Sequence, residues 1–327
     1  MTKAWALLIA LLFALPAQAA ELQKVTLAHF GQGKFLLYLP LYVAMEEGHF
    51  KAEGLDVGLK FPGNDNMSFS LLLSGEADFS IGDPVFAAIA REKGGPGKVV
   101  AMMITSLGLT GVTNNPAIAD IKDPKQLDGL RVSSFSAPST TYTQLSEIKR
   151  NHKLDKMKIV EAAFGAQIAA LEAGSVDIAV DIEPNISVAE AKGYRRVLRV
   201  GPFVDRQAIT GIQTLDKTIA ERPELVQKFV SALQAAVTQM YNDPKISYQV
   251  AAKLYPDMDA KVRNHAVDMM LGEKLYPKSI VVDDKLWQRT LQTRLESGEL
   301  KKPQATTESV DNRFAEAAQK SAHKAHH

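Results

Sequence analysis

Polar and aromatic side chains recur in this sequence at the points where predicted strands end. In the first half, "KVTLAHF" and "LDVGLKF" predict strands, and each is followed by side chains that form hydrogen bonds or stack. The second half repeats this after "LRVSSF", "MKIVEAAF" and "VDIAVDI". In open α/β sheets, ligands bind in the crevice outside the carboxyl ends of the strands. We therefore predict a ligand-binding site formed by His29, Gln32, Tyr38, Asn64, Asp83, Ser106, Ser136, Ser139, Thr140, Thr141, Phe164, Asp181 and Glu183.

Three of these residues also have a purely structural interpretation. Asp83 and Glu183 each precede a proline that opens a predicted helix. A carboxylate at that point caps the helix or interacts favourably with its dipole, without any ligand. His29 suits a pocket wall and a hydrogen-bonded position in the core equally well.

The stretch "SAPSTTY" places hydroxyl groups at the start of a predicted helix. The free N–H groups of a helix start, with hydroxyls beside them, are suited to binding an anion. The alternative is simple capping by Ser139.

Sequence motifs of common catalytic sites are missing. The chain contains no G-x-S-x-G, no G-x-x-x-x-G-K-[ST] and no H-E-x-x-H, and "GQGKFL" lacks the third glycine of a dinucleotide site. The seven histidines include no pair at metal-ligand spacing on one predicted helix, although His323, His326 and His327 cluster at the chain end. The chain has no cysteine, which excludes thiolate metal sites and a cysteine nucleophile. We therefore predict a binding protein that is not an enzyme and uses no metal or cofactor.

The charge balance argues against a nucleic-acid partner. The 38 Lys and Arg residues are matched by 37 Asp and Glu residues, so no basic excess is available for a phosphate backbone. We expect a monomer that binds a small molecule.

The first 19 residues have the order of an export signal. Lys3 precedes the apolar run "AWALLIALLFAL", and Pro16 and "AQA" follow as a cleavage site. The run is shorter than the about 20 residues that span a bilayer. Since no cysteine is available for lipid attachment, we predict a mature protein that is periplasmic and not lipidated.

The elements that must position the polar side chains form two similar sets. Strands alternate with helices throughout residues 24–200, which predicts mostly parallel sheets with helices on both faces. One helix–strand unit occurs twice, as "LLLSGEADFSIGDP" and "AALEAGSVDIAVDIEP", and the Gly-x-x-Asp elements at Gly75 and Gly174 correspond. We predict an α/β fold of two lobes with the ligand cleft between them. After Gly201 the sequence predicts helices and no strands, and the polar residues after Pro303 predict a mobile tail.

Four stretches resemble the substrate-binding proteins of bacterial ABC importers. They are "AMEEGHFKAEGLDV", "LLLSGEADFSIGDP", "IKDPKQLDGLRVSSF" and "ALEAGSVDIAVDIEP", in the order expected for the group that binds nitrate, aliphatic sulfonates, taurine and thiamine-pyrimidine precursors. The resemblance covers about residues 25–243. It implies the type II periplasmic binding protein fold, hinge closure on a ligand, and delivery of that ligand to an ABC permease and its ATPase.

The resemblance also implies an organisation in five segments. These are a signal peptide at 1–19, the first part of lobe 1 at 20–107, lobe 2 at 108–203, a return segment with C-terminal helices of lobe 1 at 204–303, and a polar, His-containing tail at 304–327. The two crossovers should fall near residues 106–111 and 201–211.

The resemblance leaves the ligand open. The helix start at Ser139 to Thr141 occupies the place where sulfonate and taurine binders of this group hold the anion, and a sulfonate- or taurine-like ligand is our first expectation. The acids and aromatic residues of the site suit a pyrimidine or another nitrogen heterocycle, which is the alternative. Lys34 is the nearest candidate cation. A sensory input receptor and an enzyme of pyrimidine-precursor synthesis on the same fold are further alternatives.

Overall fold

The computed structural model describes residues 21–137 and 139–324 of the chain. The predicted signal peptide, His326, His327 and the side chain of His323 lie outside the described residues. The described residues form ten strands, which are β1 (Gln23–His29), β2 (Leu55–Lys60), β3 (Phe79–Gly82), β4 (Lys98–Ile104), β5 (Thr110–Thr113), β6 (Arg131–Phe135), β7 (Lys158–Ala162), β8 (Ala179–Asp181), β9 (Arg195–Arg199) and β10 (Thr210–Thr214).

Fourteen α-helices lie within the described residues. They are α1 (Leu39–Glu46), α2 (His49–Ala52), α3 (Asp65–Leu73), α4 (Val85–Glu92), α5 (Thr140–Asn151), α6 (Gln167–Glu172), α7 (Asn185–Ala191), α8 (Asp216–Glu221), α9 (Pro223–Asn242), α10 (Lys245–Leu254), α11 (Ala260–Gly272), α12 (Asp284–Glu296), α13 (Thr306–Ser309) and α14 (Arg313–Lys324). Within the described part of the chain, none of them is long and apolar enough to cross a membrane.

The first lobe is built on a five-stranded sheet in the order β2-β1-β3-β10-β4. Strand β1 pairs in parallel with β2 and β3, whereas β10 runs antiparallel to both β3 and β4. The expectation of a strandless C-terminal third is therefore wrong, because β10 lies inside this sheet. Its five residues are all buried, so they show none of the alternation that marks a half-buried strand.

The second lobe repeats this order of strands. Strands β6 and β7 pair in parallel, a parallel bridge joins Val132 of β6 to Ile178 beside β8, and β5 lies antiparallel between β8 and β9. The order β7-β6-β8-β5-β9 thus matches that of the first lobe. The chain passes from the first sheet to the second between β4 and β5 and returns between β9 and β10. These sheets with their helices confirm the predicted two-lobed α/β fold.

The repeated helix–strand unit has the same role in both lobes. Gly75 and Gly174 have φ values of +76° and +69°, which favour glycine at the end of a helix. Three residues after each glycine, an aspartate carboxylate accepts a hydrogen bond from a backbone N–H of the neighbouring strand in the same lobe. Asp78 accepts from the N–H of Thr26 in β1 at 2.9 Å, and Asp177 accepts from the N–H of Arg131 in β6 at 2.7 Å. The repeated acids therefore brace the sheets.

The C-terminal helices complete the core of the first lobe. In α9, Phe229 stacks on Phe79 of β3 with ring centroids 4.1 Å apart. Helix α14 packs on α9 and buries Phe314, Ala315 and Ala318. The expectation of a mobile tail after Pro303 is wrong as far as Lys324, because α13 and α14 form there and α14 has an apolar face.

Candidate functional site

A cavity of about 510 Å³ lies between the two lobes at the carboxyl ends of their parallel strands. This volume is typical of small-molecule sites, which range from about 300 to 1,000 Å³. Both lobes contribute to its lining. The predicted site residues that line it are Tyr38, Asn64, Asp83, Ser136, Ser139, Thr140, Thr141 and Phe164.

Six aromatic residues of the described chain line the cavity. Phe164 of the second lobe lies edge-on to rings of the first lobe, with centroid distances of 5.7 Å to Phe30 and 5.5 Å to Phe35. Its side chain remains 43% exposed, so it presents apolar surface to a ligand or to solvent. The aromatic residues of the lining are Phe30, Phe35, Tyr38, Phe86, Phe135 and Phe164. Phe35, Phe86 and Phe135 were not predicted to lie in the site, because aromatic residues at such positions are as typical of the hydrophobic core as of a binding site. Phe135 ends strand β6.

Two carboxylic acids of the first lobe line the cavity. Asn64 caps α3 by accepting the N–H of Met67 at 2.9 Å, and this fixes Asp65 in the first turn. Asp65 Oδ1 accepts the N–H of Asp83 at 2.9 Å. Asp83 Oδ1 in turn accepts the N–H of Val85 at 3.1 Å. Asp83 therefore caps α4, as its structural interpretation predicted, while it also lines the cavity.

Arg294 of α12 lies behind Asp83 and neutralises it. Its side chain is buried and its Nη2 donates to Asp83 Oδ2, while its Nη1 donates to Glu299 Oε2 at 2.6 Å. Nη2 also reaches Thr140 Oγ1 at 3.3 Å, and Thr140 Oγ1 donates to Asp83 Oδ2 at 3.2 Å. One guanidinium thus joins both lobes.

Sequence reasoning missed Arg294, which lies far from Asp83 along the chain. A signal was nevertheless present. Trp287, Leu291 and Arg294 follow the i, i+4, i+7 spacing of one helix face, and all three are buried. A charged residue on a buried face requires a partner, because burying an unpaired charge is costly.

The pKa values of the two cavity acids are displaced upwards. Burial, followed by the charge of Asp83, raises the pKa of Asp65 to about 7, although the bond from the Asp83 N–H and the charge of Arg294 oppose this. Burial also raises the pKa of Asp83, against the lowering effect of Arg294. Burial likewise raises the pKa of the Tyr38 hydroxyl, so this phenol stays protonated.

The start of α5 is already engaged by protein groups. Ser139 caps the helix by accepting the N–H of Tyr142 at 3.2 Å, as its capping interpretation predicted. The Thr140 hydroxyl bonds Asp83, which brings a carboxylate to the end of the helix that favours an anion. Thr141 is buried, and its hydroxyl has no hydrogen-bond partner among the described atoms.

His29 lies behind the aromatic residues of the lining and does not itself line the cavity. Its Nε2 is 2.7 Å from the Tyr42 hydroxyl and its Nδ1 is 2.5 Å from the Phe30 carbonyl oxygen. Burial lowers its pKa to about 4, although the bond to Phe30 opposes this. His29 is therefore neutral at neutral pH, in a hydrogen-bonded core position.

Four more predicted site residues lie outside the cavity lining. Gln32 is exposed, and Ser106 lies in the first crossover with its hydroxyl accepting from Gly108. Asp181 is buried and accepts from the Ile182 N–H at 2.8 Å and from Asn185 at 3.0 Å. Glu183 accepts from the Ser187 N–H and pairs with Arg196 at 3.2 Å. These last two residues support the second lobe itself.

The described lining of the cavity contains no lysine, arginine or histidine. The ammonium group of Lys34 lies over the Tyr42 ring instead, 5.7 Å from its centroid. Residues 21–137 and 139–324 also contain no group of three or more His, Asp or Glu side chains that could hold a metal ion. The carboxyl groups in the described lining of this cavity, those of Asp65 and Asp83, are therefore not matched by a basic side chain of the lining.

The family described as NMT1/THI5 like matches residues 37–247. The 4-amino-5-hydroxymethyl-2-methylpyrimidine phosphate synthase of Candida albicans (strain WO-1) is 24% identical over 241 residues, which cover 68% of each protein. Riboflavin-binding protein RibY of Chloroflexus aurantiacus is 23% identical over 320 residues, which cover 92% of this chain and 89% of that protein.

Solved structures show the same fold. The structure described as a putative sulfonate ABC transporter, periplasmic sulfonate-binding protein SsuA from Methylobacillus flagellatus KT, matches with a TM-score of 0.70 at 16% identity. The match covers 92% of this chain and 95% of that one. The fold found here is therefore that of periplasmic binding proteins.

Proposed function

The chain belongs to the NMT1/THI5-like family, whose model spans more than half of it, and from that premise we propose that it is a solute receptor. It binds a nitrogen heterocycle between its two lobes in the periplasm and delivers it to the permease of an ABC importer. The receptor performs no chemistry on its ligand.

The observation that carries this proposal is the composition of the cavity. Aromatic side chains, including Phe30 and Phe164, line the same cavity as two acids, Asp65 and Asp83. Rings stack on such side chains, and each aromatic contact contributes about 0.5–1.5 kcal/mol beyond the area that it buries. Acids accept hydrogen bonds from the N–H groups of a heterocycle. An anion would meet these acids without a facing cation in the described lining.

Two relatives support the same class of ligand. The names of both proteins refer to nitrogen heterocycles, a pyrimidine in one and riboflavin in the other. Delivery to an ABC permease is supported by the two-lobed fold, which is shared with a protein described as part of an ABC transporter.

A sulfonate- or taurine-like ligand is the second candidate. It is favoured by the start of α5, where Ser139 and Thr140 line the cavity and backbone N–H groups suit an anion. The sulfonate-binding structural neighbour agrees with it. We rank it second because the Thr140 hydroxyl already bonds the acid Asp83.

Binding is favoured over catalysis by the residues available. The sequence has no cysteine to act as a nucleophile, and the described cavity lining contains no histidine. Since one relative is named a synthase, incubation of the protein with each ligand of the panel below should return the ligand unchanged.

Isothermal titration calorimetry with four compounds tests the proposal: 4-amino-5-hydroxymethyl-2-methylpyrimidine, riboflavin, taurine and an alkanesulfonate. We expect one heterocycle to bind at one site per chain, at least tenfold more tightly than either sulfonate. Tight binding of a sulfonate with no binding of either heterocycle would establish the second candidate instead.

Two aromatic variants with matched exposure locate the site. Phe164 is 43% exposed and lines the cavity, whereas Tyr241 is 42% exposed and lies elsewhere. We expect Phe164→Ala to weaken heterocycle binding about three- to tenfold, because one stacking surface is lost. Tyr241→Ala should leave the affinity unchanged. Equal effects of the two variants would remove Phe164 from the site.

A further inference from the structure

The Asp65 carboxyl group has one oxygen that is engaged and one that is not. Oδ1 accepts the N–H of Asp83 at 2.9 Å. The described residues supply no hydrogen-bond donor to Oδ2, and Asp65 lines the cavity. One face of a carboxyl group is therefore available to a donor on a ligand.

The charges around Asp65 do not balance. Three carboxyl groups, those of Asp65, Asp83 and Glu299, surround the single guanidinium of Arg294, which bonds the latter two directly. The other titratable neighbour is Tyr38, whose phenol stays protonated because burial raises its pKa. Asp65 thus lacks a cation of its own among its described neighbours.

The backbone is shaped to admit this carboxyl group. A Cβ atom on Gly82 would lie 1.9 Å from Asp65 Oδ1, and two atoms cannot lie that close without a bond between them. Gly82 does not have a φ value in the left-handed region, so its conformation alone does not demand glycine. A side chain at position 82 would displace the Asp65 carboxyl group from where it now lies. The absence of a side chain at Gly82 therefore leaves the space that this carboxyl group occupies.

We infer that Asp65 selects a weakly basic amino-heterocycle, whose ring nitrogen or amino group donates a charge-assisted hydrogen bond to Oδ2 while aromatic rings enclose its faces. This inference rests on the proposed function and narrows it to one class of heterocycle. A flat cation is also attracted to the faces of the surrounding rings. A ligand without a basic nitrogen gains no charge-assisted hydrogen bond from Asp65.

The complex holds one proton between the carboxyl group and the ligand nitrogen. Either a protonated Asp65 meets the neutral base, or an ionised Asp65 meets the protonated base, and the two routes give the same complex. Burial raises the pKa of Asp65 to about 7, so both forms are present near neutrality.

The pH dependence of the affinity follows from the number of protons that the complex holds, compared with the number held by the free protein and the free ligand. Above the pKa values of both Asp65 and the free ligand, binding must take up a proton, so affinity falls about tenfold per pH unit as pH rises. Below both pKa values, binding must release a proton, so affinity falls as pH decreases. The profile is therefore bell-shaped, with one limit at the ligand's own pKa and the other at about 7.

The test measures the binding affinity of two compounds at pH values from 4.5 to 9. One is 4-amino-5-hydroxymethyl-2-methylpyrimidine. The other is its carbocyclic analogue, in which carbon replaces the ring nitrogens and hydrogen replaces the amino group. The proteins are the parent, Asp65→Asn and the control Asp56→Asn. Asparagine keeps the oxygen that accepts the Asp83 N–H. Asp56 lies exposed on β2, so its replacement removes the same charge away from the cavity.

We expect Asp65→Asn to weaken binding of the aminopyrimidine at pH 7 by about ten- to hundredfold, because a hydrogen bond to a charged group contributes more than one between neutral groups. The variant should also lose the fall in affinity at alkaline pH. Its binding of the carbocyclic analogue should equal that of the parent, and Asp56→Asn should match the parent with both compounds.

Different failures have different meanings. If the aminopyrimidine binds and Asp65→Asn changes neither its affinity nor its pH profile, the inference is overturned and the proposed function stands. The same holds if riboflavin binds and the aminopyrimidine does not. If only sulfonates bind, both are overturned. If Asp65→Asn does not fold, the profile of the parent decides, because an affinity that does not fall above pH 8 contradicts the shared proton.

Discussion

At the scale of single residues, Asp65 and Asp181 show how one chemical group takes two roles. Burial raises the pKa of each to about 7. Asp65 lines the cavity with one oxygen available, whereas both oxygens of Asp181 accept hydrogen bonds within the second lobe. The position at a strand end was predictable for Asp181, but the direction of its side chain depends on Asn185 and on the packing of that lobe.

Asp181 should make the stability of the protein depend on pH. Its folded pKa of about 7 lies above the ordinary value of 3.8, so the protonated acid stabilises the fold fully below pH 4. That contribution is lost as pH rises through about 7. In Asp181→Asn, we expect a smaller decrease in the free energy of unfolding between pH 4.5 and 8 than in the parent. Urea unfolding at both pH values measures the free energy of unfolding of the two proteins. The same decrease in the variant as in the parent would contradict the raised pKa of Asp181.

At the scale of elements, α5 of the second lobe and α12 of the first lobe are joined by buried charges. Arg294 connects Asp83, Thr140 and Glu299, and Arg150 of α5 pairs with Glu296 at 2.7 Å nearer the surface. The buried contact decides the energetics, because an exposed ion pair contributes only about 0–1 kcal/mol.

Removing the guanidinium should leave an uncompensated acid. We expect Arg294→Met to lower the free energy of unfolding by about 3–5 kcal/mol, since Asp83 then lies buried without its cation. Adding Asp83→Asn should recover part of that loss. Urea denaturation of both variants at pH 8 measures the coupling.

Arg313 supplies the control for this prediction. Its side chain is 73% exposed and pairs with Asp311. Arg313→Met should change stability by less than about 0.5 kcal/mol. If Arg294→Met were as mild as Arg313→Met, the buried contact would have no role in stability.

The parts of the fold that escaped prediction share a physical cause. Strands β5 and β10, "TGVT" and "TGIQT", are short and buried on both faces, so they have no alternating pattern. Each of them also runs antiparallel to both of its neighbours in the sheet. Each is the first strand that the chain forms after it crosses from one lobe to the other. The longer parallel strands were predictable because helices separate them regularly. Arg294 was not predicted because its partners are distant in sequence.

At the scale of the whole molecule, two lobes of the same strand order face each other across one cavity. The helix starts and strand ends of each lobe point into it, and contacts such as Phe164 with Phe30 and Thr140 with Asp83 cross it. We expect a ligand held there to touch both lobes, and its binding then to favour the closed arrangement over an open one.

The crystal structure of the complex with the tightest-binding heterocycle tests the central claim most directly. The account predicts the ring inside the cavity of about 510 Å³, against Phe164 of the second lobe, with a nitrogen within hydrogen-bond distance of Asp65 in the first. A heterocycle bound outside this cavity, or contacting one lobe only, would contradict it.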